Sequence, residues 1–157
     1  DIMLLKSEAL VQKAKILEGN DATANADQIT ANLGQAWELV KKIRNRANAT
    51  ETTDYFYGIE NANGLSVNSM EKFVYEERIR ELMFEGKRWF DALRQAKRNN
   101  YEGNNLDYLY QIATYGASAA KVSNLQKKLK NKNFHYFPIY QDEMETNKKL
   151  VQNPFYL

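Results

Sequence analysis

The chain has 157 residues, 43% hydrophobic and 27% charged, which is ordinary globular material with enough apolar surface for a core. Its 22 basic and 20 acidic residues leave a net charge of +2, which demands neither a nucleic-acid nor a membrane partner. With no cysteine there is no disulfide frame, zinc–thiolate site or thiol chemistry, and no apolar run reaches the length of a membrane span.

The chain opens Asp1-Ile2-Met3-Leu4-Leu5, already helix interior in character, as expected of a fragment whose earlier part, with any targeting segment, lies elsewhere. Helical spacing holds over 2–18 and meets a stop at Gly19-Asn20. Asp27 is a candidate cap for a second helix over 28–48, with the stripe Ile29, Leu33, Ala36, Val40, Ile43 and Ala47. Residues 49–67 read as loop. Asn68, with Glu71 three positions on, predicts a capping box for a third helix running to about Arg98. Residues 99–118 are mixed in character. Val122, Leu125 and Leu129 predict a short, lysine-rich fourth helix, and Phe134 to Ile139 is extended around Pro138. Gln141 to Glu145 fits one helical turn, and the last five residues read as irregular. No strand pair emerges. The expectation is a mainly α fold in a single domain over 1–157, built of antiparallel helix hairpins with a long loop-rich C-terminal tail.

More than half of the stretch from Glu76 to Arg94 is charged, yet it keeps a helical period. At 100° per residue, Tyr75, Ile79, Leu82, Gly86, Trp89, Phe90 and Leu93 share one stripe. A mid-helix glycine is worth about 1 kcal/mol less than alanine, so Gly86 predicts a notch where a second helix approaches closely. Arg78, Glu81, Glu85 and Arg88 fall on one flank of that stripe. Glu81 and Glu85 are like charges one turn apart, and Arg44 on the second helix is positioned to bridge them. A catalytic or di-iron role for the two carboxylates finds no support. Bundle di-iron sites use Glu-x-x-His, and the only histidine is His135, far away in the tail. No nucleophile–base pair or metal set can be assembled from one histidine and no cysteine, so neither catalysis nor a cofactor is expected.

The segment "ERIRELMFEGKRWFDALR" resembles the signature of the SusD/RagB-like family, covering Arg78, Glu81, Glu85, Gly86, Arg88 and Asp91. "VKKIRNRAN", which contains Arg44, is similar to a second family stretch, and "FPIYQDEMETNKKLVQNPFY" to the family's closing segment. The opening "DIMLLKSEAL" resembles a further family helix, so four ordered segments span almost the whole chain. Tyr140, Phe155, Lys41 and Lys148 depart from the family pattern. The resemblance implies tetratricopeptide-like helix pairs and a protein about three times this length, of which this is the C-terminal part. It implies a non-catalytic nutrient-binding lipoprotein on the outer-membrane surface of Bacteroidetes, held by an N-terminal lipid anchor that this sequence does not contain. It also implies a SusC/RagA-like TonB-dependent transporter as partner, and glycan or peptide oligomers as cargo.

Sugar recognition needs flat aromatic faces flanked by hydrogen-bonding groups. The candidates are Tyr55, Phe56 and Tyr57, then Tyr101, Tyr108, Tyr110 and Tyr115, with Asn61, Asn63, Asn104 and Asn105 among them. Of these, Tyr55, Tyr57, Tyr108 and Tyr110 are the foremost ligand-binding candidates. The competing reading is that the tyrosines pin loops to helices. Trp37 and Trp89 sit at helical spacing beside core stripes and read as core. Lys121, Lys127, Lys128, Lys130 and Lys132 read as a solvated helix face, not a nucleic-acid surface. The alternative to ligand capture is a scaffold for protein contacts alone, with ligand bound elsewhere in the intact protein.

Overall fold

The computed structural model describes residues 1–48, 63–98, 100–101 and 104–157, the side chains of 104–107 excepted. The described residues form helices and no strand: α1 (Ile2–Asp21), α2 (Ala26–Arg46), α3 (Val67–Glu81), α4 (Arg88–Arg98), α5 (Asn104–Thr114), α6 (Ala119–Leu129) and α7 (Gln141–Thr146). Two 3₁₀ turns, Lys132–His135 and Pro154–Tyr156, complete the tail. The mainly α expectation holds. The chain divides into two compact units, Asp1–Glu85 and Gly86–Leu157.

In the first unit α1 and α2 form a hairpin and α3 packs against both. The Asp21 carboxylate accepts the Thr23 and Ala24 amides at 3.0 and 2.9 Å, and the Asn25 side chain donates to the Leu17 and Asp21 carbonyls. Those short polar side chains satisfy the orphaned backbone groups at the helix ends and reverse the chain. The α2 stripe is buried at Leu33, Ala36, Val40 and Ile43, facing Leu4, Val11 and Ala14 of α1. Phe73 of α3 stacks on Trp37 with centroids 4.9 Å apart, so Trp37 is core. Truncating Phe73 to alanine costs about 3–5 kcal/mol by the usual cavity penalty.

The cap of α3 is Ser66, whose hydroxyl accepts the Ser69 amide at 3.1 Å, and not Asn68. Glu71 is thereby released from capping. It accepts Gln12 Nε2 at 2.7 Å and Lys15 Nζ at 2.9 Å, tying α3 to α1.

The single third helix expected over 68–98 is two helices. Leu82 leaves helical geometry at φ −106°, ψ 22°, and Phe84 and Gly86 both adopt left-handed φ, 69° and 70°. That corrects the reading of Gly86. The glycine is not a notch in a helix. It supplies a positive φ that a side chain disfavours, and no described atom lies within 4 Å of where its Cβ would stand. The close approach sought there occurs elsewhere: Ala92 and Ala96, one turn apart on α4, are fully buried with Leu109 of α5. Trp89, Leu93, Tyr108 and Ile112 close around them.

Candidate functional site

The charged signature turns out to hold helices together. Glu77 accepts Arg44 Nη1 at 2.9 Å, joining α3 to α2. Arg78 is buried, donates to Asp1 Oδ1 at 2.9 Å and lies 3.8 Å from Glu8 Oε2, joining α3 to α1. Arg44 therefore pairs one turn earlier than expected, with Glu77, and Glu81 is paired with Arg46 instead. Glu85 falls in the turn after α3, outside the helical face that Arg44 reaches. In the second unit Asp91 is buried in the first turn of α4 and bound by Arg94 at 2.9 Å, while Arg88 is exposed at the helix start.

Of the aromatic candidates, Tyr55, Phe56, Tyr57 and Asn61 lie outside the described residues. Tyr108 and Tyr110 are half-buried on α5, Tyr108 against the Ala92–Ala96–Leu109 cluster. Tyr115 is exposed after the end of that helix.

The structure instead exposes a run of aromatics in the tail: Tyr136, Phe137 and Tyr140 are 49%, 70% and 70% exposed. The backbone is extended at Tyr136 and again at Tyr140, with no helix or strand between them. Gln152 holds its middle from both sides, accepting the Ile139 amide and donating to the Ile139 carbonyl, each at 2.8 Å. A glutamine amide thus replaces the strand that an extended segment would otherwise pair with. Asn153 donates to the carbonyls of Asn133 and Tyr136 at 2.7 and 3.0 Å, and its side-chain oxygen accepts the Phe155 amide. Phe155 then packs on Phe134 with centroids 4.8 Å apart. The "QNPF" of the tail is therefore a clamp, and sequence spacing gave no sign of it because its bonds join segments 13 to 20 residues apart.

Beside the clamp, His135 is 2% exposed. Its Nε2 donates to the Leu129 carbonyl at 2.7 Å, which fixes the tautomer, and Nδ1 is a buried acceptor with no partner among the described residues. Burial pushes the His135 pKa below its ordinary 6.5. Tyr101 stacks near it at 5.0 Å and approaches the Tyr136 hydroxyl at 3.5 Å. Burial first, then that hydroxyl, pushes the Tyr101 phenol up from 10.0 to about 12. Lys132 Nζ lies 4.9 Å over the Tyr101 ring, a cation–π contact. The described residues bring together no cluster of three or more His, Cys, Asp or Glu able to hold a metal ion.

A helical framework that carries a braced, exposed aromatic edge has the build of a binding module. The chain belongs to the SusD family, whose model matches residues 1–156. Members of that family are binding proteins rather than enzymes and are typically surface-associated outer-membrane lipoproteins. No described helix is long and apolar enough to cross a membrane. Comparison with curated proteins and with solved structures gave no match.

Proposed function

We propose that the chain is the ligand-presenting C-terminal part of a non-catalytic surface protein that captures glycan or peptide oligomers and delivers them to a TonB-dependent outer-membrane transporter. The observation that carries the reading is the exposed set Tyr136, Phe137 and Tyr140 on a non-helical backbone clamped by Gln152 and Asn153. Aromatic faces stack on the apolar faces of sugars or on peptide side chains. A braced segment gives up little entropy on binding, which favours capture. Four positions separate Tyr136 from Tyr140, a reach of up to about 13 Å along the chain, which suits an oligomer more than a single ring. Rings worth on the order of 1 kcal/mol each support weak, releasable binding, as delivery to a channel requires. Membership of the SusD family supports the transporter as partner and a lipid anchor upstream of this sequence.

The test is a glycan and peptide array probed with the chain and with the triple variant Tyr136→Ala/Phe137→Ala/Tyr140→Ala. These side chains are exposed, so the variant keeps its fold. Binding by the parent and none by the variant is expected. Equal binding by both removes the tail edge as the site.

A further inference from the structure

From Tyr108 to Gln141 the chain carries no aspartate or glutamate, and its cations are Lys121, Lys127, Lys128, Lys130 and Lys132. All of these lysines are exposed, and none has an ion-pair partner among the described residues. In the first unit, by contrast, Lys15 meets Glu71, Arg44 meets Glu77, Arg46 meets Glu81 and Arg78 meets Asp1. A stretch of one sign raises the concentration of anions around it.

Two of the lysines stand beside the aromatic edge. Lys132 Nζ lies 4.9 Å over the Tyr101 ring, whose hydroxyl is 3.5 Å from that of Tyr136. Lys128 Nζ lies 5.8 Å from the centre of the Phe134 ring, two positions before Tyr136. Asn153 bonds the carbonyls of both Asn133 and Tyr136, which ties the lysine-bearing turn to the edge. A ring occupies an ammonium on one side only, so each lysine keeps N–H donors for an anion. Beyond Tyr140 the sign reverses, with Asp142, Glu143 and Glu145 on α7. The positive end of the edge is therefore at Tyr136.

The backbone favours a sugar over a peptide. A peptide strand docks on free amides and carbonyls. Here Gln152 holds both those of Ile139, Pro138 has no amide, and Asn153 holds the Tyr136 carbonyl. What the edge offers instead is side chains. The Tyr136 and Tyr140 phenols are exposed, as are Asn124, Gln126 and Asn131 among the lysines, and such groups suit ring hydroxyls.

We infer that the cargo is an acidic oligosaccharide, an inference that rests on the tail edge being the ligand site. Its rings lie on Tyr136, Phe137 and Tyr140, and its carboxylate or sulfate groups meet Lys128 and Lys132 at the Tyr136 end.

The experiment titrates the whole 157-residue chain into two labelled pairs: oligogalacturonate with its methyl ester, and sulfated with unsulfated dextran oligomer. Each pair keeps its rings and differs in charge. The charged member of at least one pair should bind at least about fivefold tighter at low salt, with the margin shrinking as salt rises. Lys128→Gln/Lys132→Gln should erase that preference and leave the neutral member unchanged. Lys6→Gln/Lys13→Gln, which removes the same charge from exposed sites on α1, should preserve it. Equal binding of charged and neutral members, lost in Tyr136→Ala/Phe137→Ala/Tyr140→Ala, overturns the acidic cargo and keeps the edge as the site. Preference for the charged member that survives this triple variant overturns both. Binding of none of the oligomers overturns the acidic cargo, and the array then decides the edge. Tighter binding of oligoglutamate, or of a thymidine oligonucleotide, than of either acidic glycan also overturns it.

Discussion

Removing the Arg44 guanidinium isolates a buried carboxylate. The Glu77 side chain is 5% exposed and that of Arg44 15%, with 2.9 Å between the charged atoms. Deleting one partner of a fully buried pair costs about 3–5 kcal/mol. Two features lower the figure here. Arg80 Nε stays 3.7 Å from the same Glu77 oxygen, and Arg44 is not fully desolvated. The guanidinium also sits 5.8 Å over the Phe73 ring, a contact worth about 0.5–1 kcal/mol, part of which a methionine retains. Arg44→Met should then destabilise the first unit by about 2–3 kcal/mol. For a unit of this size each kcal/mol moves the midpoint by about 4–8 °C, so a fall of about 10–20 °C is expected. Near-UV circular dichroism follows it, because Trp37 stacks on Phe73 inside this unit. The double variant Arg44→Met/Glu77→Leu should recover much of the loss, since no buried charge is left unpaired. A fall of less than about 3 °C for Arg44→Met, or a double variant as unstable as the two single effects summed, refutes the reasoning.

Gly86→Ala and Gly86→Leu should both cost about 1–2 kcal/mol, nearly the same, because the penalty is the positive φ and the space beside it is open. A leucine variant far worse than alanine in denaturant midpoint would restore a packing role. Gln152→Ala removes both partners of Ile139, so the Ile139 amide should exchange at least tenfold faster, with the amides of α2 unchanged. His135 has a folded pKa lowered by burial, so the unfolded chain binds the proton more readily. Its stability contribution is complete above the ordinary 6.5 and is lost as pH falls through the lowered folded value. Denaturant midpoints of the second unit should therefore drop from about pH 7.5 to about pH 5, and His135→Gln should flatten that slope.

The hairpin was legible because its signal is local. The α2 stripe recurs at helical spacing, and Leu33, Ala36, Val40 and Ile43 are buried, with Ile29 partly buried against the same core and Ala47 exposed just past the helix end. Helix α5 was missed, since its flanking asparagines and glycine mask a short apolar pattern. The break between α3 and α4 was hidden for a different reason. The apolar period continues unbroken from Tyr75 to Leu93, and only backbone dihedrals at Phe84 and Gly86 interrupt it. Arg44 was correctly aimed at a carboxylate of α3 but at the wrong turn, because register between helices is decided by packing. The tail edge was the least legible. Gln152 and Asn153 look like irregular-loop residues until their partners on Tyr136 and Ile139 are seen. The exposure of Tyr140 could not be told from its neighbours in sequence.

The most direct measurement is amide chemical-shift mapping of the labelled chain with the oligomer that binds best on the array. If the tail edge presents ligand, the perturbed amides cluster at Tyr136, Phe137, Ile139 and Tyr140, Pro138 having none, and those of α1 and α2 stay still. Perturbations confined to α1–α3, with the tail untouched at saturation, would contradict it.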